Sequence, residues 1–563
     1  MKKVISVSLL VCVLITSLIL NVYADDLDLN EDDIVYTGVG ALSDYEVPDY
    51  IENTSAGSEI LPTSLDLSED SAFPAIGDQC RYGSCAAWAT TYYQFGYQVA
   101  KLEDWNAKED STKRFSPKYT YNILNKGEDF GSNIEDYYPL LKAHGAVRYD
   151  EFPPPQNRRG RSINQYRAWC VDTNALTNAL TYRVSEYHNE VFCNNSLDTP
   201  ITEPTSSYLY NLKSILNSEH VIVVKVCSGE SMIDPYHNNI RKNKFWSFRY
   251  ASNGDVACVS VNKYYDTIEG YHAMCIVGYD DSIWYDYNGN GLQENYELGA
   301  FKLANSWSTD YGNDGYIWLM YDALNRKSNY TPLNNESNNR YEAILDYKYH
   351  YMDVEKYDCP LIAKVTINQT SRDEIQLHLG DNFDLTPNTY TRQLDTFLNE
   401  SGGPYCIGGI NNITSATFPF DFNYLAEKRV RSNYYVIVSD TGNKGVTYVS
   451  RIVLCDKNGY IVVDDSDSFI VDSMQEYTKR YKLGSLGDAN NDGEIDEIDV
   501  TYINRALIRL NQLSDYDLIT SDINQDGLVA IDDVTLLHRY IIGINCPYRV
   551  GAFVDLEDVV PSI

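Results

Sequence analysis

The sequence predicts a multidomain α+β protein. An α+β unit spans residues 61–346, a β-sandwich 347–481 and a small all-α module 484–546, with a tail over 547–563. Three observations predict this. Between Leu61 and Asp346 helical apolar spacing alternates with short β runs, the pattern of a mixed enzyme-sized unit. From about Tyr347 to Tyr481 it gives way to short alternating runs broken by Gly, Asn and Pro. From Gly484 onward an acidic twelve-residue loop occurs twice, each copy leading into an amphipathic helix.

Composition agrees. At roughly 100–200 residues per domain, 563 residues suggest about three domains, and 44% hydrophobic with 13% aromatic residues excludes a disordered chain. The 45 Lys+Arg against 80 Asp+Glu give a net charge of -35, which excludes nucleic acid as a natural partner and favours bound cations such as Ca²⁺.

Met1-Lys2-Lys3 precedes an apolar run from Val4 to about Val22 and a small-x-small site at Val22-Tyr23-Ala24. This reads as a secretory signal peptide over 1–24, the alternative being an N-terminal membrane anchor, because the run is long. Nothing else is apolar enough to span, so a secreted chain with no membrane partner after signal cleavage is expected. Residues 25–60 form an acidic leader. Of 12 cysteines, Cys12 leaves with the signal, and the odd remainder implies at least one free thiol. Within 61–346, helices are expected at Ala86–Ala100, Ile134–His144 and Tyr208–Leu216, and strands at His220–Val226, Ala273–Tyr279, Ala300–Ala304 and Tyr316–Met320. The β-rich stretch carries runs at Leu361–Ile367, Glu374–Leu379 and Tyr434–Val438.

Cys85 stands where the turn Gly83-Ser84 gives way to a helical stretch. A helix N-terminus favours thiolate over thiol and points unpaired N–H groups at a nearby oxyanion. The side-chain amide of Gln79 is placed to be a second oxyanion donor. His272 opens the apolar run Ala273–Tyr279, and Asn305 follows the run Phe301–Ala304. Singly, each residue fits a structural role. In the order Gln79, Cys85, His272, Asn305, with Trp307 behind the Asn and Tyr311-Gly312-Asn313-Asp314-Gly315-Tyr316-Ile317 following, the segment resembles the papain-like cysteine peptidases over about 61–346.

The resemblance implies a two-lobe peptidase that cleaves protein or peptide substrates. Cys85 would be the nucleophile, His272 its base and acid, Asn305 the residue orienting His272, and Gln79 with the Cys85 N–H the oxyanion donors. It further implies Gly131, Ser132 and Trp307 at the substrate. This chain departs from the family signature at Tyr82 and Ala86, which replace a Cys and an aromatic, so the family's disulfide beside the nucleophile is not expected and Trp88 would supply the ring. Cys85 and His272 are 187 residues apart, beyond the family's usual ~130–150, implying an insertion over Asn157–Pro204 that contains Cys170 and Cys193. Ser308 stands for a glycine, and the leader is too short for the family's inhibitory propeptide. The β-rich stretch resembles the lectin-like domain that follows some prokaryotic members, or is a spacer. The altered positions leave a second reading open, an inactive binding module of the same fold.

The duplicated loops are Asp488–Asp499 and, 34 residues on, Asp522–Asp533. Side-chain oxygens fall at positions 1, 3, 5 and 12 (Asp488, Asn490, Asp492, Asp499; Asp522, Asn524, Asp526, Asp533), Gly at 6, and Glu494 or Leu528 at the backbone-carbonyl position 7. A helix follows each loop and none is expected before it. This duplication resembles a type I dockerin, implying two Ca²⁺ ions and docking to a cohesin module of a cellulosome-type extracellular scaffold. Positions 10 and 11, Glu497 and Ile498, then Ile531 and Asp532, would contact the cohesin; because the pairs differ, two equivalent binding modes are not expected. A third loop, Asp286, Asn288, Asn290, Gly291, Leu292 to Glu297, fits D-x-[DN]-x-[DN]-G-x₅-E and is a candidate for one more Ca²⁺, or an acidic hairpin turn.

Overall fold

The computed structural model describes residues 60–158, 161–192, 204–227, 246–261, 271–325, 343–385, 389–400, 402–410, 413–426, 430–557 and 559–563. The expected signal peptide, nearly all of the leader, and Cys193 lie outside them. Among the described residues no helix is long and apolar enough to cross a membrane.

A nine-stranded sheet organises the first unit. Its strands are β1 (Ser64–Asp66), β2 (Tyr182–Val191), β3 (Ile222–Cys227), β4 (Trp246–Tyr250), β5 (Val256–Val261), β6 (Tyr271–Trp284), β7 (Leu298–Ala304), β8 (Tyr316–Met320) and β9 (Ile344–Lys356). They pair in the order β2-β9-β3-β6-β7-β8-β5-β4, with β1 on β6. The helical part packs against it. Cys85–Ala87 continues through a π-helical stretch, Trp88–Phe95, into Gly96–Leu102, so the expected helix is present but widened in its middle. All eight residues of the π-helical stretch are buried. Inside it, Gln94 reaches the sheet and donates from Nε2 to the carbonyls of Val221 and His350, both at 2.8 Å. The expected helix at 134–144 begins later, at Tyr137, and that at Tyr208–Leu216 gains a residue at each end. β6 runs well past the expected Tyr279, to Trp284.

β9 straddles the expected boundary at 346/347. Its register with β2 and β3 makes it part of the first sheet, because the 13-residue strand pairs on both sides. The second unit is a sandwich of two five-stranded antiparallel sheets. One is ordered β13 (Ser415–Asp421), β10 (Ile362–Asn368), β15 (Val446–Cys455), β16 (Ile461–Asp465), with β17 (Phe469–Asp472) on β15. The other is ordered β12 (Arg392–Asp395), β11 (Ile375–Asn382), β14 (Ser432–Asp440), β18 (Glu476–Ser485), β19 (Phe553–Asp555). The expected tail is therefore no mere appendage, since β19 closes the second sheet.

The sandwich is anchored on the first unit by buried cations. Arg183 of β2 lies 2.8 Å from Asp421 at the end of β13, the side chains 2% and 0% exposed, and its guanidinium stacks 4.2 Å over Tyr357. Arg372 stacks 4.1 Å over Trp169 and donates to the Gly402 carbonyl at 2.8 Å. Residues of both units share one apolar core.

The C-terminal module contains helices Glu497–Leu507, Asp515–Ser521 and Ile531–Ile541 around its own small core. The middle helix stands directly before the second acidic loop, where none was expected; Ser514 and Asp517 cap it reciprocally. Arg431 locks this module to the sandwich. Its guanidinium donates to Asp517, to the Ala489 carbonyl at 2.9 Å and to Thr520 Oγ1 at 3.1 Å.

Removing one partner of a buried ion pair leaves the other charge uncompensated, at a cost of about 3–5 kcal/mol, whereas an apolar replacement of both is often close to neutral. Asp421→Ala is expected to lower stability in urea unfolding by about that amount, and Arg183→Met with Asp421→Leu to recover most of it. A double variant no more stable than Asp421→Ala would contradict this account of the joint.

Candidate active site

The loop before Cys85 is shaped by what its neighbours leave no room for. A Cβ on Gly77 would lie 2.0 Å from the Trp88 ring, so only glycine lets the loop pass over this buried indole. From there the chain runs beside the segment after β7. Gln79 N donates to the Ser306 carbonyl at 2.7 Å, Ser308 N to the Gly77 carbonyl at 2.9 Å, and Asp78 and Trp307 form an antiparallel bridge. Tyr93, from the π-helical stretch, accepts from Gly77 N at 3.0 Å and donates to the Asn305 carbonyl at 2.7 Å. The loop before Cys85 and the loop carrying Asn305 are thus stitched together before any catalytic atom is considered.

Cys85 is the first residue of its helix and is fully buried. His272 begins the buried part of β6, and its Nε2 lies 2.7 Å from Asn305 Oδ1. Ser306 N–H donates to the same oxygen at 2.7 Å, which fixes that atom as the acceptor and His272 Nε2 as the N–H donor. The tautomer follows: in the neutral ring Nε2 carries the proton and Nδ1 does not. Trp307 stacks on the imidazole at 4.5 Å between centroids and 23° between planes. It is 1% exposed and covers one face of the imidazole.

Gln79 accepts from Ser306 Oγ at 2.6 Å through Oε1 and donates from Nε2 to the Tyr82 carbonyl at 2.8 Å. That holds the amide in one orientation and leaves one N–H of the pair to point elsewhere. Ser308 has φ 64. This left-handed conformation is one that glycine adopts freely, the physical reason for a glycine there in the family the sequence resembles.

Sequence reasoning missed Asp129. Its carboxylate is the hub between the nucleophile loop and the Gly131 segment, accepting from Gly83 N at 2.8 Å, from Arg161 Nε at 2.6 Å and from the Tyr121 hydroxyl. Tyr82, at the departure from the family signature, accepts from Ser162 N at 2.9 Å. Cys80 and Cys170 are free thiols. Polar bonds to Asp129 therefore tie the loop beside the nucleophile. Gly131 has φ 102, and the Ser132 hydroxyl lies 2.6 Å from that of Tyr137. The adjacent Phe130 is 75% exposed.

The three acidic loops share one internal architecture. In Asp488–Asp499 and Asp522–Asp533, position 1 accepts from the N–H of positions 5 and 6 (Asp488 from Asp492 and Gly493; Asp522 from Asp526 and Gly527). Position 5 accepts from position 7, Glu494 or Leu528, and position 12 from the N–H of position 3. The loop between β6 and β7 repeats this with Asp286 accepting from Asn290 and Gly291, Asn288 from Asn290, and Asn290 from Leu292. Glu297 closes it by accepting from Tyr287 N at 2.9 Å.

Burial raises the carboxyls of Asp488, Asp499, Asp522 and Asp533, Asp488 to about 6, and neighbouring carboxylates add to each shift. Acids packed this closely fit a divalent cation, whose charge reverses the penalty. Ile498 and Ile531 are 58% and 65% exposed, while Glu497 pairs with His538 at 3.1 Å and Asp532 accepts from Asn524 at 3.1 Å.

Residues 486–542 match the model of the Dockerin type I domain. No curated protein matches the chain. Among solved structures, the chain is similar to xylellain, a cysteine protease from Xylella fastidiosa, at 18% identity and TM-score 0.33, over 56% of this chain and 96% of that one. The chain is also similar to digestive procathepsin L 3 of Tenebrio molitor larval midgut, at 14% identity and TM-score 0.33, over 57% of this chain and 78% of that one. ProCathepsin B S9 from Trypanosoma congolense follows at 16% and 0.33, over 56% and 86%. The chain thus carries a type I dockerin domain near its C-terminus, and the solved structures it resembles are cysteine proteases.

Proposed function

We propose that this chain is a secreted cysteine endopeptidase carried by its dockerin on a cohesin-bearing, cellulosome-type scaffold. The observation that carries the reading is the His272–Asn305 pair, its tautomer fixed by Ser306 N–H and its water access closed by Trp307, on the strands stitched to the Cys85 loop.

Cys85 gives its thiol proton to His272 Nδ1, and the thiolate attacks the scissile carbonyl carbon. The carbonyl π pair moves onto oxygen, and the Cys85 N–H with the second Gln79 N–H stabilises that oxyanion. As the tetrahedral adduct collapses, the C–N bond breaks and imidazolium His272 protonates the leaving amine. Water, deprotonated by His272, then attacks the thioester, and the carboxylic acid leaves as the thiolate re-forms. Asn305 acts through His272 as a positioning residue. The second reading, an inactive binding module, draws on Tyr82 and Ala86; the bonds Asp129 makes to Gly83 N and its neighbours supply a tie for this loop without a disulfide there.

Calcium is proposed at three places. Asp488, Asn490, Asp492, Glu494 and Asp499 would hold one ion, Asp522, Asn524, Asp526, Leu528 and Asp533 a second, and Asp286, Asn288, Asn290, Leu292 and Glu297 a third. The third would stiffen the hairpin whose strands carry His272 and lead to Asn305. The exposed Ile498 and Ile531 with Glu497 and Asp532 form the proposed cohesin face.

Cys85→Ala is expected to abolish casein turnover and labelling by a thiol-directed peptidyl probe. Gln79→Ala is expected to keep the labelling and to lose about 10²–10³ in kcat, the usual cost of one oxyanion donor. Turnover that survives Cys85→Ala would contradict the assignment, and wild-type protein that labels without cleaving any protein would support the binding-module reading. Calcium titration of chelated full-length protein is expected to give three equivalents, falling to two in Asp286→Ala with cohesin binding kept. Two equivalents in the parent would remove the third site.

A further inference from the structure

The outermost strand of the first sheet carries a cluster that neither the catalytic reading nor the calcium reading uses. Among the described residues β2 pairs with β9 alone, and its register shifts between Val184 and Glu186, so that Ser185 is the extra residue of a bulge. Bulges re-aim side chains. After this one Glu186 stands opposite Asp353 and His188 opposite Tyr351, which puts Glu186, His188, Tyr351 and Asp353 on one face of the strand pair.

We propose that Glu186, His188 and Asp353 form a surface site for a divalent transition-metal ion of the Zn²⁺ class, with His220 holding Asp353 from behind. A carboxylate oxygen of Glu186, a ring nitrogen of His188 and a carboxylate oxygen of Asp353 lie within 4.8 Å of one another. His188 Nε2 is 3.6 Å from Asp353 Oδ2. This is too long for a hydrogen bond and close to the ~3.3 Å separating two donors on one tetrahedral ion with bonds of about 2.0–2.1 Å. The His188 ring is held by stacking on Tyr351, at 4.2 Å and 9°.

Support behind the donors is what distinguishes a built site from a chance surface cluster. His220 Nε2 lies 2.9 Å from Asp353 Oδ1, while its Nδ1 is 2.8 Å from the Ser218 carbonyl. Through Nε2, His220 fixes one oxygen of Asp353 and leaves Oδ2 facing His188. Asp353 is 47% and His188 24% exposed, so the remaining coordination positions open to water. One imidazole and two carboxylates suit Zn²⁺ and its first-row neighbours. An ion there would staple the edge strand β2 to β9, and through His220 to the turn before β3.

The test uses the full-length, tag-free protein with Cys85→Ala, which removes the cleft thiol as a rival ligand, in saturating Ca²⁺ to fill the acidic loops. Zn²⁺ bound after equilibrium dialysis is measured by elemental analysis, alongside the melting temperature. One equivalent is expected, with at least tenfold weaker binding and no Zn²⁺-dependent rise in melting temperature in His188→Ala and in Asp353→Asn. His378→Ala, which breaks a direct 2.7 Å pair with Asp395 elsewhere, is expected to bind as the parent does. Glu186→Gln, on the exposed edge of the strand, gives the same readout should either variant fail to fold. Absence of stoichiometric Zn²⁺, or Zn²⁺ binding unchanged in the folded variants, would overturn the proposal.

Discussion

Everything at the candidate active site depends on the stitching of two loops distant in sequence. The backbone bonds from Gln79 to Ser306 and from Ser308 to Gly77, clamped by the Tyr93 hydroxyl, set the nucleophile loop in register with the loop that carries Asn305. Gln79, Asn305, Ser306 and Ser308 are buried, so losing these bonds leaves donors and acceptors without water, and the register is strongly specified. His272 enters the same frame through β6, which pairs with β7 just before Asn305. The geometry of the proposed site is then a property of the sheet and not of flexible side chains, the condition under which small displacements are avoided.

The same logic of buried charge recurs at both joints between units. Arg183 with Asp421, Arg372 on Trp169, and Arg431 among Asp517, Ala489 and Thr520 each bury a guanidinium where two units meet. Such pairs give more geometric specificity than net stability. Their consequence is that the dockerin is mounted on the sandwich, with Ser562 bonding the second acidic loop at Gly527 and Val529. Its first and third helices, carrying Ile498 and Ile531, keep these side chains open.

Features encoded locally were legible in the sequence. Ligand spacing in the acidic loops, the apolar periods of the helix from Cys85 and of Tyr316–Met320, and the order of Gln79, Cys85, His272 and Asn305 all depend on nearby residues or on chain order. Features that depend on remote pairing were not. β9 and β19 join their sheets through partners far away in sequence, and Asp129 became a hub only because folding brought Gly83, Tyr121 and Arg161 around it. The stacking of Trp307 on His272 was illegible for the same reason: its neighbours in sequence do not reveal that its face lies against the imidazole. The short helix Asp515–Ser521 escaped notice because two turns carry too short an apolar period to read, and its strongest signal is the Ser514–Asp517 cap.

The central claim is that His272 and Cys85 act as one proton-sharing unit. It is tested most directly by the pH dependence of Cys85 alkylation with a neutral reagent, in the parent and in His272→Gln. The account predicts that the parent keeps a reactive thiolate down to about pH 5, as His-paired cysteines do, and that His272→Gln shifts the reactivity midpoint to the ~8.5 of an ordinary thiol. Identical profiles in the two proteins, both rising near that ordinary value, would contradict it.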